Sequence, residues 1–181
     1  MNSISPPLAR ARYKARVIQT PAKVDPSAGR AERYSTLADE IDAVLEGEPD
    51  RVARMATVAS MLAAGFERFF WTGFYLVDAA KGDELVVGPY QGTLGCLRIA
   101  FGRGVCGAAA ARRQTVIAPD VDAFPGHIAC DSRSRSEVVV PVFDRAGALI
   151  AVLDVDSTEL AAFDETDARG LEEIVRRVFA N

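Results

Sequence analysis

The chain has 181 residues, 49% of them hydrophobic, which favours a domain with a full core and excludes wholesale disorder. A net charge of −4 and an isoelectric point near 5.1 give no basic field for nucleic acid or an anionic membrane. No apolar run approaches the roughly 18 residues of a membrane span, the N-terminus lacks a signal peptide's apolar core, and three cysteines do not make a secreted disulfide framework. A reducing cytoplasm is the expected compartment.

Residues 1–30 hold six basic side chains (Arg10, Arg12, Lys14, Arg16, Lys23 and Arg30) against one acid, Asp25. They read as a disordered basic extension, and a single folded domain is expected over residues 31–181. From Glu32 to Glu46, the side chains Tyr34, Leu37, Ala38, Ile41 and Leu45 recur at helical spacing, and Gly47 and Pro49 end that helix. A second helix follows Asp50, with Val52, Met55, Ala59 and Leu62 as its apolar stripe. "FFWTGFYLVD" then turns strand-like, and alternation puts Trp71, Gly73 and Tyr75 on one face and Phe70, Thr72, Phe74 and Leu76 on the other.

"AAKGDE" reads as a hairpin turn, "LVVGPY" as the returning strand and "CLRIAF" as a further short one. "GRGVCGAAAARR" turns at its glycines into a short Ala-rich helix, and "TVIAP" is strand again. After the irregular stretch "FPGHIACDSRSRSE", the segments "EVVVPVF" and "ALIAVLDVD" form a hairpin around Asp144–Gly147. Asp164 caps a last helix bearing Phe163, Leu171, Ile174, Val175 and Val178. Hairpins dominate over crossovers. The expected class is therefore α+β, a mostly antiparallel sheet with helices on one side. The other face, beneath the long middle loops, is where a small ligand could sit.

Cys96, Cys106 and Cys130 match no zinc pattern, because zinc sites usually supply paired ligands two to four residues apart. His127 and Cys130 are close enough to share a metal, but a fourth ligand is hard to name, and no metal is expected. A free cysteine is most often an inert buried hydrophobe. Cys130, however, sits among polar neighbours, where His127, Arg133 and Arg135 could stabilise a thiolate, partly opposed by Asp131. Three cysteines in loops around one sheet suggest a redox cycle through sulfenic acid and disulfide, restored by an external dithiol.

Asp154 and Asp156 are two residues apart and share a strand face, and Glu137 begins the strand expected to pair with theirs. Mutual repulsion and partial burial would raise at least one of these pKa values. A protonated carboxyl could then donate to a substrate oxygen, and an ionised one could hold an ammonium. A solvated strand end or a magnesium site are the alternatives, the latter without a phosphate cradle. Trp71 and Tyr75 could grip an apolar or sulfur-bearing group, or could be ordinary core. "FGRGVCG" lacks the ending of a phosphate loop.

"WTGFYL", "GPYQGTLGC", "FGRGVCG", "DVDAFPGHIACDSRSRSEVVVPVFD" and "AVLDVDS" together resemble the free methionine-(R)-sulfoxide reductases. The likeness runs in order from about Glu32 to Val178, and "FPGHIACD" is its most specific part. It implies a GAF-like fold and reduction of the free amino acid, an activity tied to oxidative stress. It also implies that Cys130 is the nucleophile and Cys96 the resolving thiol, with Cys106 implicated as well. Glu137, Asp154 and Asp156 would be the pocket acids, and Trp71 and Tyr75 the aromatic wall. A sulfoxide oxygen leaves poorly unless protonated, so one acid must donate, and an aspartate of the "DVD" pair is favoured over Glu137. No bound cofactor is implied. The external reductant would be thioredoxin, with NADPH and thioredoxin reductase, and the assembly a homodimer. The alternatives are a non-catalytic GAF sensor of a small ligand and a redox-responsive protein without a substrate.

Overall fold

In the computed structural model, which describes residues 29–128 and 130–180, helices α1 (Arg30–Val44) and α2 (Arg51–Gly65) come first. They are followed by β1 (Trp71–Val77), β2 (Glu84–Gln91), β3 (Arg98–Ala100), α3 (Gly104–Arg112) and β4 (Val116–Ala118). A hairpin of β5 (Ser136–Phe143) and β6 (Leu149–Ser157) leads to α4 (Glu165–Phe179). These are the elements and the order expected from the sequence. The extension falls on residues outside the described ones, except for its last two, of which Gly29 is the N-cap residue of α1 and Arg30 opens that helix.

The strands form one six-stranded sheet in the order β3-β2-β1-β6-β5-β4, with every neighbouring pair antiparallel. Alternation along the strands divides it into two apolar faces. One carries Phe74, Val138, Val140, Leu153 and Val155 and packs against α2 and α4, on which α1 lies in turn. Met55, Ala59 and Leu62 are buried there as expected, but Val52, in the first turn of α2, is not reached by that packing and is 55% exposed. The other face carries Trp71, Tyr75, Val139 and Val152 and is covered by loops together with α3. The helix side is thus as expected, and the ligand side gains one short helix. Gly107 lets α3 seat against the chain turning off β3, because a Cβ there would lie 2.3 Å from the Ala100 carbonyl oxygen.

The helical layer is pinned by one buried carboxylate. Asp167 accepts from the Tyr34 hydroxyl (3.0 Å), from Arg30 (2.9 Å) and from Arg68, and its own carboxylate closes a capping box with Asp164. Two of the three donors come from α1, so this group fixes α1 against α4 behind the sheet.

Candidate active site

Strand register assembles the site. Trp71 pairs with Asp156, and Asp156 pairs in turn with Glu137, so one row crosses β1, β6 and β5. In the next row Gly73 pairs with Asp154, and Asp154 with Val139. Glu137, Asp154 and Asp156 therefore converge on the face opposite the helical core, as their alternation implied. Glu137 and Asp154 are buried, and Asp156 is half-buried. Beside them Trp71 stacks on Tyr75 with centroids 5.5 Å apart and on Tyr90 at 5.2 Å. Gly73 permits this, since a Cβ there would come within 2.2 Å of Tyr90.

No lysine or arginine pairs with any of the three acids among the described residues. Desolvation then dominates their titration. Burial, followed by the charge of Asp156, pushes Glu137 up to about 8, against hydrogen bonds with Asp154 and Cys106 that lower it. Burial and the neighbouring Glu137 raise Asp154 well above the usual carboxylate range, and burial and Asp154 do the same to Asp156. Oδ1 of Asp154 is buried without a hydrogen-bond partner. The floor of the site holds protons near neutral pH and keeps an acceptor open toward whatever enters.

Cys106 corrects one expectation. It lies in the first turn of α3 rather than in a loop, and it is buried. Its thiol donates to Oε1 of Glu137 at 3.6 Å. Burial, then the charges of Asp154, Glu137 and Asp156, raises its pKa well above the ordinary thiol value. The helix N-terminus, which favours a thiolate, is outweighed, and Cys106 stays a protonated donor. The ligand atoms of Cys106, Glu137 and Asp154 lie within 4.8 Å of one another, close enough to hold a metal ion. This is a different set from the His127 and Cys130 pair weighed in the sequence.

Cys96 and Cys130, 34 positions apart in the sequence, form a disulfide with Cα atoms 5.2 Å apart. Cys130 is exposed and Cys96 half-buried. The bond ties the segment after β2 to the segment before β5. The same two segments are joined by Thr93 Oγ1, which donates to Asp131 at 2.7 Å, while the Thr93 carbonyl accepts from Trp71 Nε1 at 3.0 Å. Arg133, expected beside the Cys130 thiolate, is instead engaged by Asp131 through bonds of 3.0 and 2.8 Å and lies over the Phe70 ring. The acid two residues away is a nearer and fixed partner. Arg135 is exposed.

A pocket of about 520 Å³, counting its open mouth, joins these parts. Trp71, Tyr75, Glu137, Asp154, Asp156 and Cys106 line its inner part, and Cys130 opens onto it. Cys96 is tied to it only through the disulfide. His127, Arg103 and Ser134 also line it, and Ser134 hydrogen-bonds Asp156. Sequence reasoning passed over Thr93, Arg103 and Ser134. Their surroundings are built by folding, and nothing in their spacing signals it.

A family model described as "GAF domain" matches residues 48–178. The free methionine-R-sulfoxide reductase of Escherichia coli (strain K12) is 40% identical over 149 residues, covering 82% of this chain and 88% of its own. The chain belongs to the GAF-domain family of free methionine-R-sulfoxide reductases. A solved structure of the free methionine-R-sulfoxide reductase from Neisseria meningitidis in complex with its substrate aligns with a TM-score of 0.81. It shares 49% identity and covers 88% of this chain and 93% of its own. GAF domain-containing protein A of Dictyostelium discoideum is 48% identical over 147 residues, 81% of this chain and 90% of its own. The fold class and the family read from the sequence both hold.

The raised acids make stability fall with pH. Glu137 titrates near 4.5 when free and at about 8 when folded, so between those values the folded state keeps a proton that the unfolded chain has released. The stabilisation is complete below the unfolded value and is lost as pH rises through the folded one, and Asp154 and Asp156 act in the same direction. The melting temperature of the protein is expected to drop from about pH 5 to about pH 8, and Glu137→Gln should make that decline shallower. Calorimetric scans in which the variant declines as steeply as the parent would contradict this account of the site.

Proposed function

We propose that this chain reduces free methionine-(R)-sulfoxide to methionine by a thiol mechanism. The observation that carries the reading is a pocket with proton-holding carboxyls on its floor and a closed disulfide at its mouth. A sulfoxide needs both: a thiolate to attack sulfur and an acid to protonate the departing oxygen.

The Cys130 thiolate attacks the sulfoxide sulfur while a floor carboxyl protonates the oxygen. The protonated oxygen passes to the Cys130 sulfur as the substrate S–O bond and the bond between the two sulfurs break. Methionine leaves reduced by two electrons, and Cys130 is left oxidised as a sulfenic acid. The Cys96 thiol condenses with that acid, releasing water and forming the disulfide. An external dithiol reopens the bond by exchange and leaves as its own disulfide. All electrons come from thiols, so the cycle needs no bound cofactor.

Glu137 is the favoured proton donor, in place of the aspartate preferred on sequence grounds. Raised to about 8, it is protonated at neutral pH and readily reprotonated, and it is the acid that the Cys106 thiol contacts. Cys106 is a positioning group that donates to Glu137, not the nucleophile. Asp154 and Asp156 hold the substrate ammonium, which supplies the cation the cluster lacks. Trp71 and Tyr75 pack on the methylthio end. Enclosure of the amino group on the pocket floor disfavours peptide-bound methionine sulfoxide, while the preference for the R form rests on the family alone. For the external dithiol we take thioredoxin, kept reduced by thioredoxin reductase and NADPH in a reducing cytoplasm. Among the described residues no helix is long and apolar enough to cross a membrane.

The sensor alternative needs a pocket but no paired cysteines at its mouth, and the disulfide weighs against it. Turnover of free methionine-(R)-sulfoxide with dithiothreitol tests the reading. Cys130→Ser should abolish that turnover, because a small dithiol replaces a resolving thiol but not the nucleophile. Substantial residual activity would move the nucleophile elsewhere. Among the acids, Glu137→Gln should lower kcat by a factor of about 10²–10⁴, whereas Asp156→Asn should act mainly on KM. If both variants turned over normally at saturating substrate, acid assistance by this cluster would be wrong.

A further inference from the structure

Leu94 and Leu97 are the most exposed large hydrophobic residues among the described residues, at 82% and 74%. They flank Cys96 in "TLGCLR". Single exposed leucines are ordinary on a protein surface. Here two stand within three residues, beside the one disulfide of the described residues, whose other half, Cys130, is itself exposed. The backbone of Leu97 is held, its carbonyl accepting from the Val87 amide at 3.1 Å, so its side chain is presented outward by an ordered segment.

We propose that Leu94 and Leu97 form the docking surface for the protein dithiol that reopens the Cys96–Cys130 bond. The inference rests on the catalytic cycle proposed above. That bond opens only when a thiolate reaches one of its sulfurs, so the reductant must cover the surface around it. A small thiol needs no apolar footing to do so. A protein does, because an attacking thiol must be held in line with the S–S bond while exchange proceeds, and two exposed leucines beside the target provide such footing. The partner is therefore a dithiol protein of the thioredoxin type, with apolar surface around its reactive cysteine. Its thiolate attacks, the S–S bond breaks, and one cysteine of this chain departs as a thiolate while the other is held in a mixed disulfide. The partner's second thiol then displaces it. The partner leaves oxidised by two electrons, and both cysteines of this chain return as thiols.

Leu97 is the probe, because Leu94 also lines the pocket mouth. Turnover of free methionine-(R)-sulfoxide by the full chain is measured with two reductants, dithiothreitol and a bacterial thioredoxin recycled by its reductase and NADPH. Leu97→Ser and Leu97→Glu should leave the dithiothreitol-driven rate within about twofold and raise the KM for thioredoxin about fivefold or more, as expected for lost apolar contact. An unchanged thioredoxin KM in both variants would overturn the proposal. So would an equal loss with both reductants, which would make Leu97 a support of the loop, or a parent enzyme served by dithiothreitol but not by thioredoxin. If the parent shows no turnover with either reductant, the catalytic reading itself fails.

Discussion

Everything at this site depends on burying carboxylates without a cation. The row formed by Trp71, Asp156 and Glu137 and the adjoining position of Asp154 follow from strand register, so the acids are brought together by the backbone rather than by flexible side chains. Burying unpaired charge is costly, and such groups respond by keeping their protons. The result is a floor that keeps its protons, with an orphaned acceptor on Asp154 that an ammonium would satisfy. A free amino acid carries that ammonium, and a residue inside a peptide does not. The same constraint accounts for the retained Cys106 proton, since a thiolate beside these groups would add a further buried negative charge.

The thiol pair answers to a different requirement. In the cycle proposed for it, the nucleophile must meet a small substrate, then a neighbouring thiol, then an external reductant, and has to stand where all three can reach it. A strand interior would bury it. Cys130 instead stands in an irregular segment at the pocket mouth, steadied by the Asp131 contacts to Thr93 and Arg133. Thr93 is itself anchored to Trp71 of the rigid sheet. The two segments bearing Cys96 and Cys130 are thus joined by a Thr93–Asp131 hydrogen bond as well as by the disulfide.

Much of this was legible in the sequence because strand periodicity carries it. Alternation in "FYLVD" and "VLDVDS" places Tyr75, Asp154 and Asp156 on one face regardless of what the loops do, and the hairpin at Asp144–Gly147 brings Glu137 alongside. Turn residues and caps such as Asp50 and Asp164 located the helices for the same local reason. Contacts that depend on how separate elements dock left no such trace. The approach of Cys106 to Glu137 spans 31 residues and requires α3 to lie on the ligand face of the sheet. Arg133 looked available to Cys130 by proximity in sequence, while Asp131 was the better partner. The pairing of Cys96 with Cys130 came from the family resemblance, because spacing alone allows any two of the three cysteines to join.

The central claim is that one pocket couples sulfoxide reduction to formation of a specific disulfide. It is tested most directly by a single turnover: fully reduced protein, freed of external thiol, is mixed with excess free methionine-(R)-sulfoxide, quenched with an alkylating agent and mapped by mass spectrometry. The account predicts about one equivalent of methionine per chain, the stoichiometry of one disulfide formed, with a Cys96–Cys130 peptide pair and an alkylated Cys106 on denaturation. Methionine release without that pair, or a dominant bond between Cys106 and Cys130, would contradict it.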